Sequence, residues 1–216
     1  MSKPRVLLAD DHTLVREGFK KLLEEHGQVV GSVEDGRSLL DEAKRLRPDI
    51  VVLDISMPKL NGLDAARRLR KIVPQARLIF VTVHADADYV NQAFKAGASG
   101  YLLKRSAASE LSQAIEAVKN GNYYVTSFIA KDLVHSAISD TESNAGGGQD
   151  RLPVRQREIL QLVAEGLTLK EIASTLGLSP KTVEYHKSKL MEQLGLHTTA
   201  ELTKYALAHG LTPSSE

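Results

Sequence analysis

Residues 50–62 read IVVLDISMPKLNG. Four consecutive apolar residues, Ile50 to Leu53, run directly into an acid, Asp54. So short an apolar run, rich in β-branched residues, fits a strand buried on both faces of a parallel sheet. Working outward from it, comparable runs occupy Arg5–Ala9, Val29–Val33, Leu78–Val81 and Gly100–Leu103. The segments between them have helical spacing; Leu63, Ala66, Leu69 and Val73 recur every three to four positions. Five strand–helix pairs in about 120 residues predict an α/β domain, a parallel sheet with helices on both faces.

The pattern then changes. Residues 122–138 (NYYVTSFIAKDLVHSAI) read as one more helix, and residues 139–150 (SDTESNAGGGQD) as a flexible glycine-rich linker. Gly146–Gly148 lack the preceding strand and the following Lys-Ser/Thr of a phosphate-cradling loop. From residue 152 the periodicity is helical throughout. Apolar stripes at Ile159–Val163, Ile172–Leu176, Val183–Leu194 and Leu202–Ala206 are separated by Gly166, Gly177 and Gly195. The expected domains are therefore 1–121, a linker region 122–150, and an all-α four-helix domain over 151–216.

The chain of 216 residues contains no Cys, which excludes disulfides, zinc–thiolate sites and Cys nucleophiles. MSKPRVLLADDH does not read as a secretory leader, and no apolar run is long enough to span a bilayer. A cytoplasmic protein without membrane contact is expected. Net charge is +1 overall, and from residue 151 onward eight Lys/Arg face seven Asp/Glu. Any nucleic-acid contact must therefore come from a local patch.

Ligands of open parallel sheets bind outside the carboxyl ends of the strands. This chain places Asp10 and Asp11 after the first strand, Asp54 after the third, Thr82 at the end of the fourth and Lys104 at the end of the fifth. Three crowded carboxylates need a cation, and an all-oxygen donor set suits Mg²⁺. A carboxylate can attack phosphorus to form an acyl phosphate. Lys104 and Thr82 would supply positive charge and a donor at the phosphoryl oxygens.

Residues 5–120 resemble the receiver domain of two-component response regulators, through LLADDH (7–12), LDISMPKLNG (53–62), FVTVHAD (80–86) and GYLLK (100–104). The resemblance implies a flavodoxin-like (βα)₅ sheet and phosphoryl transfer from a sensor histidine kinase to Asp54. It implies Asp11, Asp54 and the Ser56 carbonyl as direct Mg²⁺ ligands, with Asp10 acting through water. It also implies a switch in which Thr82 moves toward the phosphoryl group and the Tyr101 ring turns inward. Pro58 and Gly62 would shape the loop after the acceptor. Arg105 stands where many receivers have Pro, which leaves the backbone isomer at that bond open. Val83 stands where a smaller residue is usual and would narrow the mouth of the site. His12 reads as a solvent-facing residue opening the first helix. His84 is either an exposed loop side chain or a group that tunes loss of the phosphoryl group.

Residues 168–190 read TLKEIASTLGLSPKTVEYHKSKL. A helix from Thr168 to Leu176, a turn at Gly177-Leu178-Ser179, and a second helix capped by Ser179 with Pro180 at its first position make a helix-turn-helix. Three Lys less one Glu give the second helix a charge of +2 between 181 and 189. LPVRQREILQLVAEGLTLKEIASTLGLSPKTVEYH resembles the output domain of the NarL/FixJ/LuxR regulators. By that resemblance Glu184, Tyr185 and Ser188 read base edges, and Lys170, Lys181, Thr182, Lys187 and Lys189 hold phosphates. The last helix, about 198–208, resembles the family's dimer contact.

These readings describe a transcription regulator that Asp54 phosphorylation shifts toward dimerisation and promoter binding. Its partners would be a histidine kinase, double-stranded DNA and a second copy of itself, with RNA polymerase a further candidate. One alternative is a phosphorylation-independent regulator with a vestigial receiver. Another is a Mg²⁺-dependent phosphohydrolase, against which stands the lack of a separate catalytic domain; enzymatic activity is expected only as self-directed phosphoryl transfer and dephosphorylation.

Overall fold

A computed structural model describes residues 3–130 and 152–212. The chain divides into two compact units, one built on a sheet and one on the last four helices. In the first, strands and helices alternate: β1 (Arg5–Ala9), α1 (Thr13–Leu23), β2 (Gln28–Val33), α2 (Gly36–Leu46), β3 (Ile50–Leu53), α3 (Gly62–Ile72), β4 (Arg77–Thr82), α4 (Ala87–Ala96), β5 (Ala98–Leu103), α5 (Ala107–Lys119) and β6 (Tyr124–Val125). All pairings are parallel, in the order β2-β1-β3-β4-β5-β6. This is the expected α/β class.

β3 is buried at all four positions, as its apolar run requires. Ile50 and Val52 join Val6, Leu8, Ile79, Val81 and Leu102 in a core closed by Phe19, Leu23, Leu111, Ile115 and Val118 of α1 and α5. Val51 and Leu53 must therefore point to the opposite face, since side chains alternate along a strand. Caps fix where helices start: the Asp35 carboxylate accepts from the Arg37 and Ser38 amides at the head of α2.

The helix expected from residue 122 is corrected at its start. Tyr124 and Val125 form a sixth strand against Gly100 and Tyr101, and helical backbone begins only at residue 127. Tyr and Val satisfy either pattern; the unpaired edge of β5 decides, taking up the Thr126 amide at the Tyr101 carbonyl as well. The rest of that segment and the glycine-rich linker lie outside the described residues.

The second unit contains α6 (Val154–Ala164), α7 (Leu169–Leu176), α8 (Pro180–Leu194) and α9 (Thr199–Ala208). Its core gathers Ile159, Leu160, Leu162, Ile172, Leu176, Val183, Leu190, Leu202 and Ala206. Thr168 caps α7 in a reciprocal box with Glu171 instead of forming its first turn. Gly177 ends α7 at φ 64°, a left-handed conformation that favours glycine. The Ser179 side chain then accepts from the Thr182 amide, with Pro180 at the first helical position.

Candidate functional site

The strand order brings the predicted acids together. β1 lies beside β3 with Ala9 opposite Leu53, so Asp10 and Asp54 leave the sheet side by side at the point where the strand order reverses. On the far side of β3, Thr82 pairs with Leu103, and the Lys104 amide donates to the Thr82 carbonyl at 2.8 Å. Five residues from four strand ends therefore share one crevice, and the tertiary fold alone joins them.

Lys104 is the centre of charge. Its Nζ lies 2.7 Å from Asp10 Oδ2 and 2.8 Å from Asp54 Oδ2. The other Asp54 oxygen accepts from the Ile55 amide at 2.6 Å. Burial pushes the Asp54 carboxyl above its ordinary value; Lys104 opposes this and the Asp10 charge adds to it. Burial would also lower the Lys104 ammonium, but Asp54 and Asp10 outweigh it and hold it above its ordinary value. The result is an ionised lysine beside an acid of raised basicity, which suits a nucleophile.

Carboxylate oxygens of Asp10, Asp11 and Asp54 and a His12 nitrogen lie within 4.8 Å of one another. Asp11 Oδ1 is shut off from solvent and faces the His12 ring nitrogen at 2.7 Å. A buried acceptor of this kind, in a set of hard oxygen donors, is compatible with Mg²⁺.

Gly62 opens α3 directly under the acceptor. A Cβ there would stand 2.0 Å from the Asp54 carbonyl oxygen, so the close approach of the two backbones admits no side chain.

Several single residues depart from expectation. His12 is not merely solvent-facing: the side chain is 58% exposed, yet Nδ1 lies 2.7 Å from Asp11 Oδ1 and 3.2 Å from Asp10 Oδ1. With two acids adjacent, an imidazole within reach pairs with them. His84 is half-buried, not an exposed loop side chain. Its Nε2 is 2.9 Å from Ser56 Oγ, its ring stacks on Tyr89 at 4.1 Å, and burial lowers its pKa. Tyr101 is fully buried, its hydroxyl donating to the His84 carbonyl at 2.9 Å. Burial pushes the Tyr101 hydroxyl far above the ordinary tyrosine value, and Tyr89 up to about 12. Val83 is largely exposed. Among the described residues no peptide bond is cis, which settles the bond before Arg105. Arg105 instead lies over the Phe128 ring at 4.4 Å.

Sequence reasoning missed Arg16. It is 7% exposed, and its guanidinium donates to the Asp10 carbonyl at 2.5 Å, to Glu34 Oε1 at 2.6 Å and to Thr13 Oγ1 at 3.3 Å. A signal was present: Arg16 is one turn into α1, on the side of the buried Phe19 and Leu23. A cation at so apolar a stripe implies a buried partner.

In the second unit, α8 buries Val183 and Leu190 and exposes Lys181, Glu184, Tyr185, Ser188 and Lys189. Tyr185 is 61% exposed, unusual for a large aromatic without a partner surface. Thr182 is partly taken up by the cap, its hydroxyl 2.8 Å from Ser179 Oγ. Lys187 donates to Thr199 Oγ1 at 2.8 Å, tying α8 to α9. Lys170 is exposed on the first turn of α7.

Known proteins share both units. The family described as response regulator receiver domain matches residues 6–116, and that of bacterial regulatory proteins, luxR family, matches residues 150–206. The transcriptional regulatory protein MctR of Rhizobium johnstonii is 38% identical over 211 residues, covering 97% of this chain and 95% of MctR. The response regulator UvrY of Escherichia coli K12 is 34% identical over 208 residues, covering 95% of this chain and 94% of UvrY. Among solved structures, RcsB of Salmonella enterica serovar Typhimurium, bound to the promoter P1flhDC in the presence of phosphomimetic BeF3−, aligns with a TM-score of 0.60 at 26% identity. That alignment covers 94% of this chain and 98% of RcsB. With both of its units matched in order along nearly its whole length, the chain belongs to the two-component response regulators that join a receiver domain to a LuxR-type DNA-binding domain.

Proposed function

We propose that Asp54 accepts a phosphoryl group from a sensor histidine kinase, and that this shift in the receiver promotes dimerisation and promoter binding through α8. The observation that carries the proposal is the Lys104 ammonium held between Asp10 and Asp54 in a buried crevice. Mg²⁺, when bound, supplies charge neutralisation for the phosphoryl oxygens; Asp11, Asp54 and the Ser56 carbonyl would hold it directly and Asp10 through water. Asp54 attacks phosphorus as the phosphohistidine bond breaks. Lys104 and Thr82 then face the oxygens of the new acyl phosphate and hold them. Thr82 and Tyr101 act as the switch.

In the output domain, Glu184, Tyr185 and Ser188 read base edges, while Lys170, Lys181, Thr182, Lys187 and Lys189 set register on phosphates. The protein works in the cytoplasm as a homodimer when active, with RNA polymerase a further partner. Residues 1–121 act as the receiver, 122–150 as the connection and 151–216 as the output domain. Any enzymatic activity is confined to the acyl phosphate the receiver itself carries.

The test compares wild type with Asp54→Asn, each treated with acetyl phosphate and Mg²⁺. Labelling and binding to genomic fragments are followed together. The expected result is stoichiometric labelling and tightened DNA binding in wild type alone. Asp54→Asn that binds DNA as wild type does would instead mark a phosphorylation-independent regulator.

A further inference from the structure

His84 makes more contacts than its place in a connecting loop requires. Its ring meets Ser56, two residues past the acceptor, and stacks on Tyr89 of α4 with planes 20° apart. Its amide lies 3.4 Å from Thr82 Oγ1, and its carbonyl takes the Tyr101 hydroxyl. A fully buried phenol needs a partner for its hydroxyl. Here the partner is a loop carbonyl, and connecting loops are ordinarily the mobile parts of a fold. What fixes this carbonyl is the side chain of its own residue, held on one side by Ser56 and on the other by Tyr89.

We propose that Ser56, His84 and Tyr89 form a latch that holds Tyr101 inward, with His84 as the positioning residue between the acceptor loop and β5. The latch rests on the reading of Tyr101 as the switch. Its consequence is that the position of the switch is biased by side chains two residues beyond Asp54 and Thr82, independently of a phosphoryl group. A neutral hydrogen bond and an aromatic stack each move a two-state ratio by roughly three- to tenfold. Losing one contact therefore shifts the inward-to-outward ratio of Tyr101 by about that factor. Losing both, as in His84→Ala, shifts it by their product, roughly tenfold to a hundredfold.

The experiment uses the full chain with 3-fluorotyrosine incorporated and no phosphodonor. The Tyr101 fluorine resonance is assigned from its loss in Tyr101→Phe. Ser56→Ala and His84→Phe remove only the hydrogen bond, the latter keeping a ring to stack on Tyr89. Tyr89→Leu removes only the stack. The expected result is a Tyr101 resonance that moves toward its solvent-exposed position in each single variant and further in His84→Ala. The resonances of Tyr185 and Tyr205, in the other unit, should stay in place. An unmoved Tyr101 resonance in both Ser56→Ala and His84→Phe overturns the latch, and these mild variants decide the matter even where His84→Ala fails to fold. Because no phosphodonor is present, a failed latch leaves acceptance of phosphate by Asp54 standing, and a failure of Asp54 labelling leaves the latch result standing.

Discussion

Lys104 Nζ stands 2.8 Å from Asp54 Oδ2, with the side chains only 13% and 3% exposed. The pair is thus a buried one, and removing either member has opposite consequences. Lys104→Met leaves Asp10 and Asp54 buried without their cation, which costs about 3–5 kcal/mol. Asp54→Asn removes one of two adjacent negative charges and keeps Lys104 paired with Asp10. It should raise the unfolding midpoint of the receiver by a few degrees, at roughly 4 °C per kcal/mol. Thermal unfolding in chelator, followed by circular dichroism, checks both signs.

The pH dependence follows from the same carboxyl. Burial holds Asp54 above its ordinary value in the folded chain. Its contribution to stability is then fully present below that ordinary value and is lost as pH rises through the raised one. The advantage of Asp54→Asn over wild type should be largest near about pH 7.5 and shrink as the solution is acidified toward about pH 4. A constant difference across that range would contradict a raised Asp54.

Removal of divalent cation should be felt by the same crevice. Mg²⁺ at a hundredfold excess over its dissociation constant stabilises the folded receiver by about 2.7 kcal/mol. That gain should appear in wild type as a rise in midpoint on adding Mg²⁺, and should be absent in Asp11→Ala. An equal gain in Asp11→Ala would remove Asp11 from the metal site.

Arg16→Gln should cost about 1–3 kcal/mol, because the Asp10 carbonyl loses a buried donor and Glu34 loses its partner. It should also weaken Mg²⁺ binding, since the loop that bears Asp10 and Asp11 is no longer held from below. Urea unfolding measures the first effect and Mg²⁺ titration the second. A stability loss with unchanged Mg²⁺ affinity would confine Arg16 to a structural part.

On the output side, Tyr185→Ala should weaken specific DNA binding by about 1–3 kcal/mol, roughly ten- to a hundredfold, and relax sequence preference. Lys181→Ala should weaken binding to all sequences alike and reduce the salt slope by about one. Both side chains are exposed, so the midpoint of unfolding should stay within the effect of an ordinary surface substitution, about 0.5 kcal/mol. Titrations of a recovered genomic fragment and a scrambled one, at several salt concentrations, separate the two effects.

Much of this protein was legible along the chain because its signals are local. A fully buried strand announces itself as an unbroken apolar run, so IVVL at 50–53 gave the sheet. A helix-turn-helix depends on a cap and a left-handed turn within a few residues, so Gly177, Ser179 and Pro180 gave the output fold. The acids and Lys104 were legible as a set because each sits at a strand end. Tyr124–Val125 was not, because whether those residues pair depends on the free edge of β5, built from residues more than twenty positions earlier.

The sequence by itself determined the first five strands, the helices between them, the four helices of the output unit, and the five groups at the carboxyl ends of the strands, because backbone propensity and burial period act over neighbouring residues. Only the tertiary structure decided which groups touch. Lys104 meets Asp10 and Asp54, Arg16 reaches back to the Asp10 carbonyl, and His84 ties Ser56, Tyr89 and Tyr101 together. Those contacts arise where loops converge from separate strands. Their geometry follows from strand order and register, which no single stretch of sequence contains.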